Sequence, residues 1–274
     1  MKGIFGIFIM ILGFIMSLAH LSQVWAQGTS GDAGTAELAK KTQNPVSDLV
    51  SLPFQYNLGF NYGPYNRAQH VLNIQPVVPF KLTGDWNLIT RTILPVLNQP
   101  KPREDDSRFG VGDLNTTLFL SPGKPGKVIW GVGPIFSFPT ATDEILGTEK
   151  WSAGISGVVL TMPGRWVIGA LANNLWSYAG ASDRESVNQF LFQYFINYNF
   201  DEGWYFTSAP ILTANWKADK DDKWTIPVGG GFGKIFRIGK LPMNGSLAAF
   251  YNIVRPDSGP EYSLRFQLQF LFPR

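Results

Sequence analysis

Residues 262–272 alternate in polarity almost without interruption. Tyr262, Leu264, Phe266, Leu268, Phe270 and Phe272 share one face, and Ser263, Arg265, Gln267 and Gln269 share the other. A period of two marks a β-strand with one apolar and one polar side. Such a strand has two destinations. In a soluble sheet a second layer covers the apolar face. In a transmembrane barrel that face meets lipid and the polar face lines the lumen.

Composition favours the second destination. Charged residues make up only 16% and aromatics 14% of the 274 residues, yet mean hydropathy is near zero. An apolar exterior around a polar interior produces that combination. The chain has no Cys, which excludes disulfides and thiolate metal sites and fits an oxidising compartment. Net charge is +3. No basic run is interleaved with aromatics, so nucleic-acid binding is not implied.

The first 26 residues have the form of a cleaved signal peptide. Lys2 precedes an apolar run from Gly3 to about Ala19, and Val24 and Ala26 suit a cut after Ala26. An uncleaved anchor is the alternative. No later run is long enough for a membrane helix, so any membrane residence falls to strands. Residues 27–50 read as a separate N-terminal segment. Within it Ala36-Glu37-Leu38-Ala39-Lys40-Lys41 suits a short helix, ended ahead of Pro45. The segment is either a mobile periplasmic tail or a plug in a lumen.

Residues 51–274 predict an all-β, transmembrane antiparallel β-barrel of about 12 strands. Asn188 to Phe200 repeats the C-terminal pattern, with Phe190, Phe192, Tyr194, Ile196 and Tyr198 opposite Gln189, Gln193 and Asn197. Strands of about 10 residues suit a tilted crossing, and an even number closes a single-chain barrel. Connections sort by parity. Thr83-Gly84, Pro163-Gly164-Arg165 and Asp201-Glu202-Gly203 are short, whereas Asn98 to Phe109 and Thr140 to Lys150 are long. Trp86, Trp130, Trp166 and Trp204 would mark one membrane boundary, and Trp151, Trp176, Trp216 and Trp224 the other. Pro76, Pro79, Pro95, Pro134, Pro210 and Pro227 oppose this reading, because a closed barrel has no edge to hide a missing N–H. Bulges would absorb them.

The pore-lining candidates are Arg91, Asp113 and Arg265, with Gln55, Asn57, Asn73, Gln75, Gln193 and Asn197 as the polar wall. Charges in a barrel lumen set selectivity, or pair and close it; Arg91 and Asp113 sit on neighbouring strands and suit pairing. No catalytic, cofactor or metal constellation stands out, so the expectation is a non-enzyme without cofactor. His70 lacks a His-x-Ser partner, since residue 72 is Leu. Gly229 to Lys234 fails the phosphate-loop spacing. Asp105, Asp106, Asp221 and Asp222 are solvated loop acids or bridges to Ca2+ or lipopolysaccharide.

Several stretches together resemble one family. They include Asp85-Trp86-Asn87-Leu88-Ile89-Thr90-Arg91, Gly112-Asp113-Leu114, Phe138-Pro139-Thr140-Ala141-Thr142, Lys150-Trp151-Ser152-Ala153-Gly154 and Ile211-Leu212-Thr213-Ala214-Asn215-Trp216. The chain is similar to the outer-membrane barrels named after meta-pathway phenol degradation, commonly labelled transporters. The terminal strand also resembles the one by which such barrels reach their assembly machinery, although Pro273 and Arg274 follow the last aromatic. The polar lumen face predicts an outer-membrane channel for passive passage of small molecules, and the resemblance implies solutes of an aromatic or hydrophobic kind. A surface-binding barrel with a filled lumen is the alternative.

Overall fold

The computed structural model describes residues 32–101 and 104–273. The expected signal peptide lies outside the described residues. A helix, α1 (Asp32–Thr42), comes first. The strand segments follow as β1 (Val50–Tyr62), β2 (Arg67–Ile74), β3 (Val77–Lys81), β4 (Trp86–Pro100), β5 (Ser107–Val111), β6 (Leu114–Pro122), β7 (Val128–Phe138) and β8 (Lys150–Thr161). Then come β9 (Trp166–Gly180), β10 (Asn188–Asn199), β11 (Trp204–Ser208), β12 (Ile211–Asn215), β13 (Trp224–Ile238), β14 (Leu241–Val254) and β15 (Tyr262–Phe272). All pairings are antiparallel, and β1 pairs with β15 from Val50↔Phe272 to Phe60↔Tyr262, which closes the sheet. Segments β2 and β3, β5 and β6, and β11 and β12 are broken halves of single strands, so the closed barrel has 12 strands. Among the described residues no helix is long and apolar enough to cross a membrane.

The prolines explain most of the irregularities. Pro76 falls between β2 and β3, and Pro210 between β11 and β12. Pro227 sits at a register shift between β13 and β14. The β6–β7 ladder skips from Thr117↔Ile135 to Leu120↔Val132, around Pro134. A proline has no N–H to give a ladder, so each strand bends or breaks there. Neighbouring groups fill the gaps: Gln75 N donates to Pro53 O at 2.9 Å and Thr92 N to Pro76 O at 3.1 Å.

The tryptophans form two exposed belts. At the short-turn rim Trp86 packs edge-on to Trp130 at 6.0 Å, and Lys234 Nζ lies 4.8 Å over the Trp204 ring. At the long-loop rim Trp216 meets Trp224 at 5.4 Å, and Phe138 meets Trp151 at 5.7 Å. Between the belts Ile155, Val159, Phe232 and Leu247 are exposed. This apolar band between aromatic girdles is the lipid face.

Two expectations change. Alternation puts the tenth strand at Trp224 to Gly233 and the eleventh at Met243 to Ile253, and both are longer in the structure. Lys234 to Ile238 continues β13, and the hairpin turns at Gly239, whose φ of +60° suits glycine. The lumen is also less polar than expected. Ile89, Phe119, Ile129, Val158, Leu160, Val167, Leu171 and Phe195 form one buried cluster. They point inward from β4 and β6 to β10, opposite exposed neighbours such as Leu120, Val159 and Ile168. Strands there are apolar on both faces, which hides the inner set from an alternation search.

Candidate functional site in the barrel lumen

The N-terminal segment sits inside the short-turn end of the barrel. Ala and Lys residues favour helix over 36–41, and Lys40 and Lys41 in the last turn suit its dipole. The structure starts the helix earlier, at Asp32. Leu38 and Ala39 of α1 are buried with Leu49, Ile235 and Leu271. Gly203 leaves the room that Thr35 fills, since a Cβ there would come within 2.9 Å of Thr35 Cγ2. Beyond α1 the chain crosses the lumen in a tight turn, in which Val46 N donates to Asn44 Oδ1 at 3.0 Å. Gln43 Nε2 donates to Asn199 Oδ1 at 2.8 Å, and Asn199 Nδ2 donates back to Gln43 Oε1 at 3.2 Å. Val46 joins the apolar wall cluster.

Gly131 makes that last contact possible, because a Cβ there would stand 2.9 Å from Val46 Cγ1. The substitution Gly131→Leu is therefore expected to push the 44–47 turn away from the wall. Limited proteolysis of folded protein checks this: the N-terminal segment should be cut faster than in the parent, while the barrel resists.

Between this segment and the wall of β1, β3, β4, β10, β11, β14 and β15 lies a cavity of about 200 Å³. Gln55, Gln75, Arg91, Gln193, Asn197 and Arg265 line it. Asn57 accepts from Arg265 Nε at 2.9 Å, and Asn73 lies opposite Gln55 in register, on the same face. Arg265 Nη1 also donates to Ala209 O at 2.8 Å, and its guanidinium stands 4.7 Å over the Phe250 ring. Arg91 Nη2 donates to Gln75 Oε1 at 2.8 Å. Each arginine thus grips a group beside a strand break. Gln75 opens the gap between β2 and β3, and Ala209 opens the one between β11 and β12. Ala209 O also accepts from Gln193 Nε2 at 3.2 Å.

Asp113 does not belong to this set. Thr117, not Asp113, lies opposite Arg91, which puts Asp113 roughly 13 Å farther along the strand at about 3.3 Å per residue. Its carboxylate instead accepts from Thr148 N at 2.7 Å, Thr148 Oγ1 at 2.8 Å and Ala141 N at 3.2 Å. It folds the 139–149 loop down onto the barrel mouth. The expected Arg91–Asp113 pair is therefore replaced by two separate roles.

Other singled-out residues find structural partners. The ring Nδ1 of His70 is 2.6 Å from Tyr56 Oη. Gly233 gives space to the Tyr205 ring, whose hydroxyl donates to Asn244 Oδ1 at 2.7 Å. Asp105 pairs with Arg67 at 2.7 Å, and Asp222 accepts from Asp257 N at 3.0 Å. Asp106 takes Lys101 at 3.4 Å. The Ser107 backbone N–H, then Lys101, hold the Asp106 carboxyl below its usual value. A depressed carboxylate stabilises the fold above its unfolded pKa, about 3.9 for aspartate, and that contribution fades as pH falls through the lower folded value. The 101–107 loop is expected to become more protease-sensitive below about pH 4 than at neutral pH, and Asp106→Asn should remove most of that dependence.

Known proteins set this geometry in context. No family model and no curated protein matches the chain. Among solved structures, an outer membrane channel from Pseudomonas putida F1 superposes with a TM-score of 0.64 at 17% identity, covering 82% of this chain and 96% of that one. The chain has the fold of an outer-membrane barrel. Its fold places it in the bacterial outer membrane. A Pseudomonas aeruginosa FadL homologue follows at TM-score 0.42 and 11% identity, covering 88% and 92% of the two chains. Outer membrane phospholipase A from Escherichia coli follows at 0.41 and 10%, covering 81% and 96%. The exclusion of enzymatic activity drawn from sequence does not stand, because a barrel fold by itself neither implies nor excludes an activity.

Proposed function

We propose that this barrel carries small molecules passively across the outer membrane, with the 32–49 segment as the closure of its periplasmic end. The observation that carries the reading is the cavity of about 200 Å³ between that segment and a two-sided wall. One side offers amides and guanidinium groups, and Val77, Phe195 and Phe250 supply apolar surface on the other. Such a lumen suits compact solutes with a hydrocarbon body, aromatic ones included. The superposition on a Pseudomonas putida channel supports this, as does the resemblance to the meta-pathway family, to which we assign the chain. In the same reading residues 1–26 direct export from a Gram-negative cytoplasm, β15 engages the assembly machinery, and the long loops meet lipopolysaccharide.

Uptake by proteoliposomes tests the proposal. Purified chain should admit small solutes faster than protein-free liposomes; equal rates for polar and apolar solutes alike would refute it. A second reading has its own observation. Val46 packs with the wall cluster inside the barrel, as in a barrel that binds at its surface and passes nothing. In that case removing the segment would leave uptake unchanged.

A further inference from the structure

We infer that the lumen cavity is an anion site for small carboxylates with a hydrocarbon body, an inference that rests on reading the lumen as a solute path. The charged side chains on its lining are Lys41, Arg91 and Arg265, and no Asp or Glu is among them. Lys41 is already compensated by Glu37 at 3.4 Å and Asp48 at 3.9 Å. Arg91 and Arg265 make no ion pair among the described residues; their acceptors are a neutral amide, a second amide and a backbone carbonyl. A guanidinium presents several N–H donors in a fixed fork that matches a carboxylate. These bonds occupy only part of each fork. A cation away from bulk water without a counter-charge is costly, and a bound anion offsets that cost.

The rest of the cavity selects the other end of the ligand. Phe250 lies under the Arg265 guanidinium, and Phe195 belongs both to the lining and to the apolar wall cluster. A carboxylate on the arginines therefore has apolar surface within one short chain length. A fully hydrated ion such as inorganic phosphate has no use for that surface.

Calorimetry on the folded mature chain in detergent tests the site, with hexanoate, its neutral isostere hexanamide, and inorganic phosphate as probes. Hexanoate should bind saturably and roughly tenfold more tightly than hexanamide, the scale of one charged hydrogen-bonded contact. Arg91→Met and Arg265→Met should each erase most of that preference. Arg165→Gln, at a periplasmic turn, should not change it. Heat-shifted gel migration confirms folding of each variant, and the hexanoate–hexanamide comparison on the parent needs no variant at all. Equal binding of hexanoate and hexanamide, or no hexanoate binding, overturns the anion site. Phosphate binding as tightly as hexanoate overturns the hydrocarbon requirement. Liposome uptake of neutral solutes with no hexanoate binding sinks the site and spares the path. Hexanoate binding without uptake of any solute does the reverse.

Discussion

Deleting residues 27–48 is expected to raise solute uptake by proteoliposomes well above that of the intact barrel, by roughly tenfold or more if the segment sets the barrier. The segment holds its place through a small set of contacts. Leu38 and Ala39 bury against Leu49, Ile235 and Leu271, Val46 against the apolar wall, and Gln43 against Asn199. None of these is part of the barrel ladder, which closes independently through β1 and β15. Loss of the segment should therefore leave heat-shifted gel migration intact while widening the bore. Single-channel recordings give the complementary measure, with larger and longer openings in the shortened chain. Uptake identical to the parent would mean that the apolar cluster, not the segment, blocks the lumen.

The second large effect concerns that cluster. Phe119→Ala should destabilise the barrel by about 3–5 kcal/mol, the range for an aromatic removed from a packed interior. Phe119 is 1% exposed, whereas the adjacent Leu120 is 37% exposed on the lipid side. Leu120→Ala should cost much less, because lipid fills the space a missing lipid-facing side chain leaves. Urea unfolding followed by gel migration compares the two. Equal midpoints would show that the inner cluster is loosely filled.

Much of this architecture is legible in the sequence, for a plain reason. Where a strand is polar on one face, as in β15, alternation gives both the strand and its orientation. Tryptophans mark strand ends because the interface selects them. The prolines look like objections in one dimension; Pro76 and Pro210 turn out to sit at breaks and Pro227 at a register shift, while Pro79 and Pro95 stay in register, and the Ala209 carbonyl beside Pro210 is one that Arg265 binds. The inner apolar wall is not legible. Val158 faces in and Val159 faces out, and nothing in their order separates them. Nor does the sequence show that Asp113 bonds to Thr148. That contact depends on how a loop folds back over the rim, whereas strand adjacency suggested Arg91. The dock of α1 depends on Gly203 and Ile235, both far along the chain.

The underlying physical claim is that the aromatic face meets lipid and the lumen is enclosed. Quenching of tryptophan fluorescence by brominated lipids tests it most directly, since Trp86, Trp130, Trp166 and Trp204 lie at one rim and Trp151, Trp176, Trp216 and Trp224 at the other. Bromines near the glycerol end of the acyl chain should quench strongly, and bromines at the bilayer centre should quench less. Quenching by water-soluble acrylamide alone, with no response to any brominated lipid, would contradict the account.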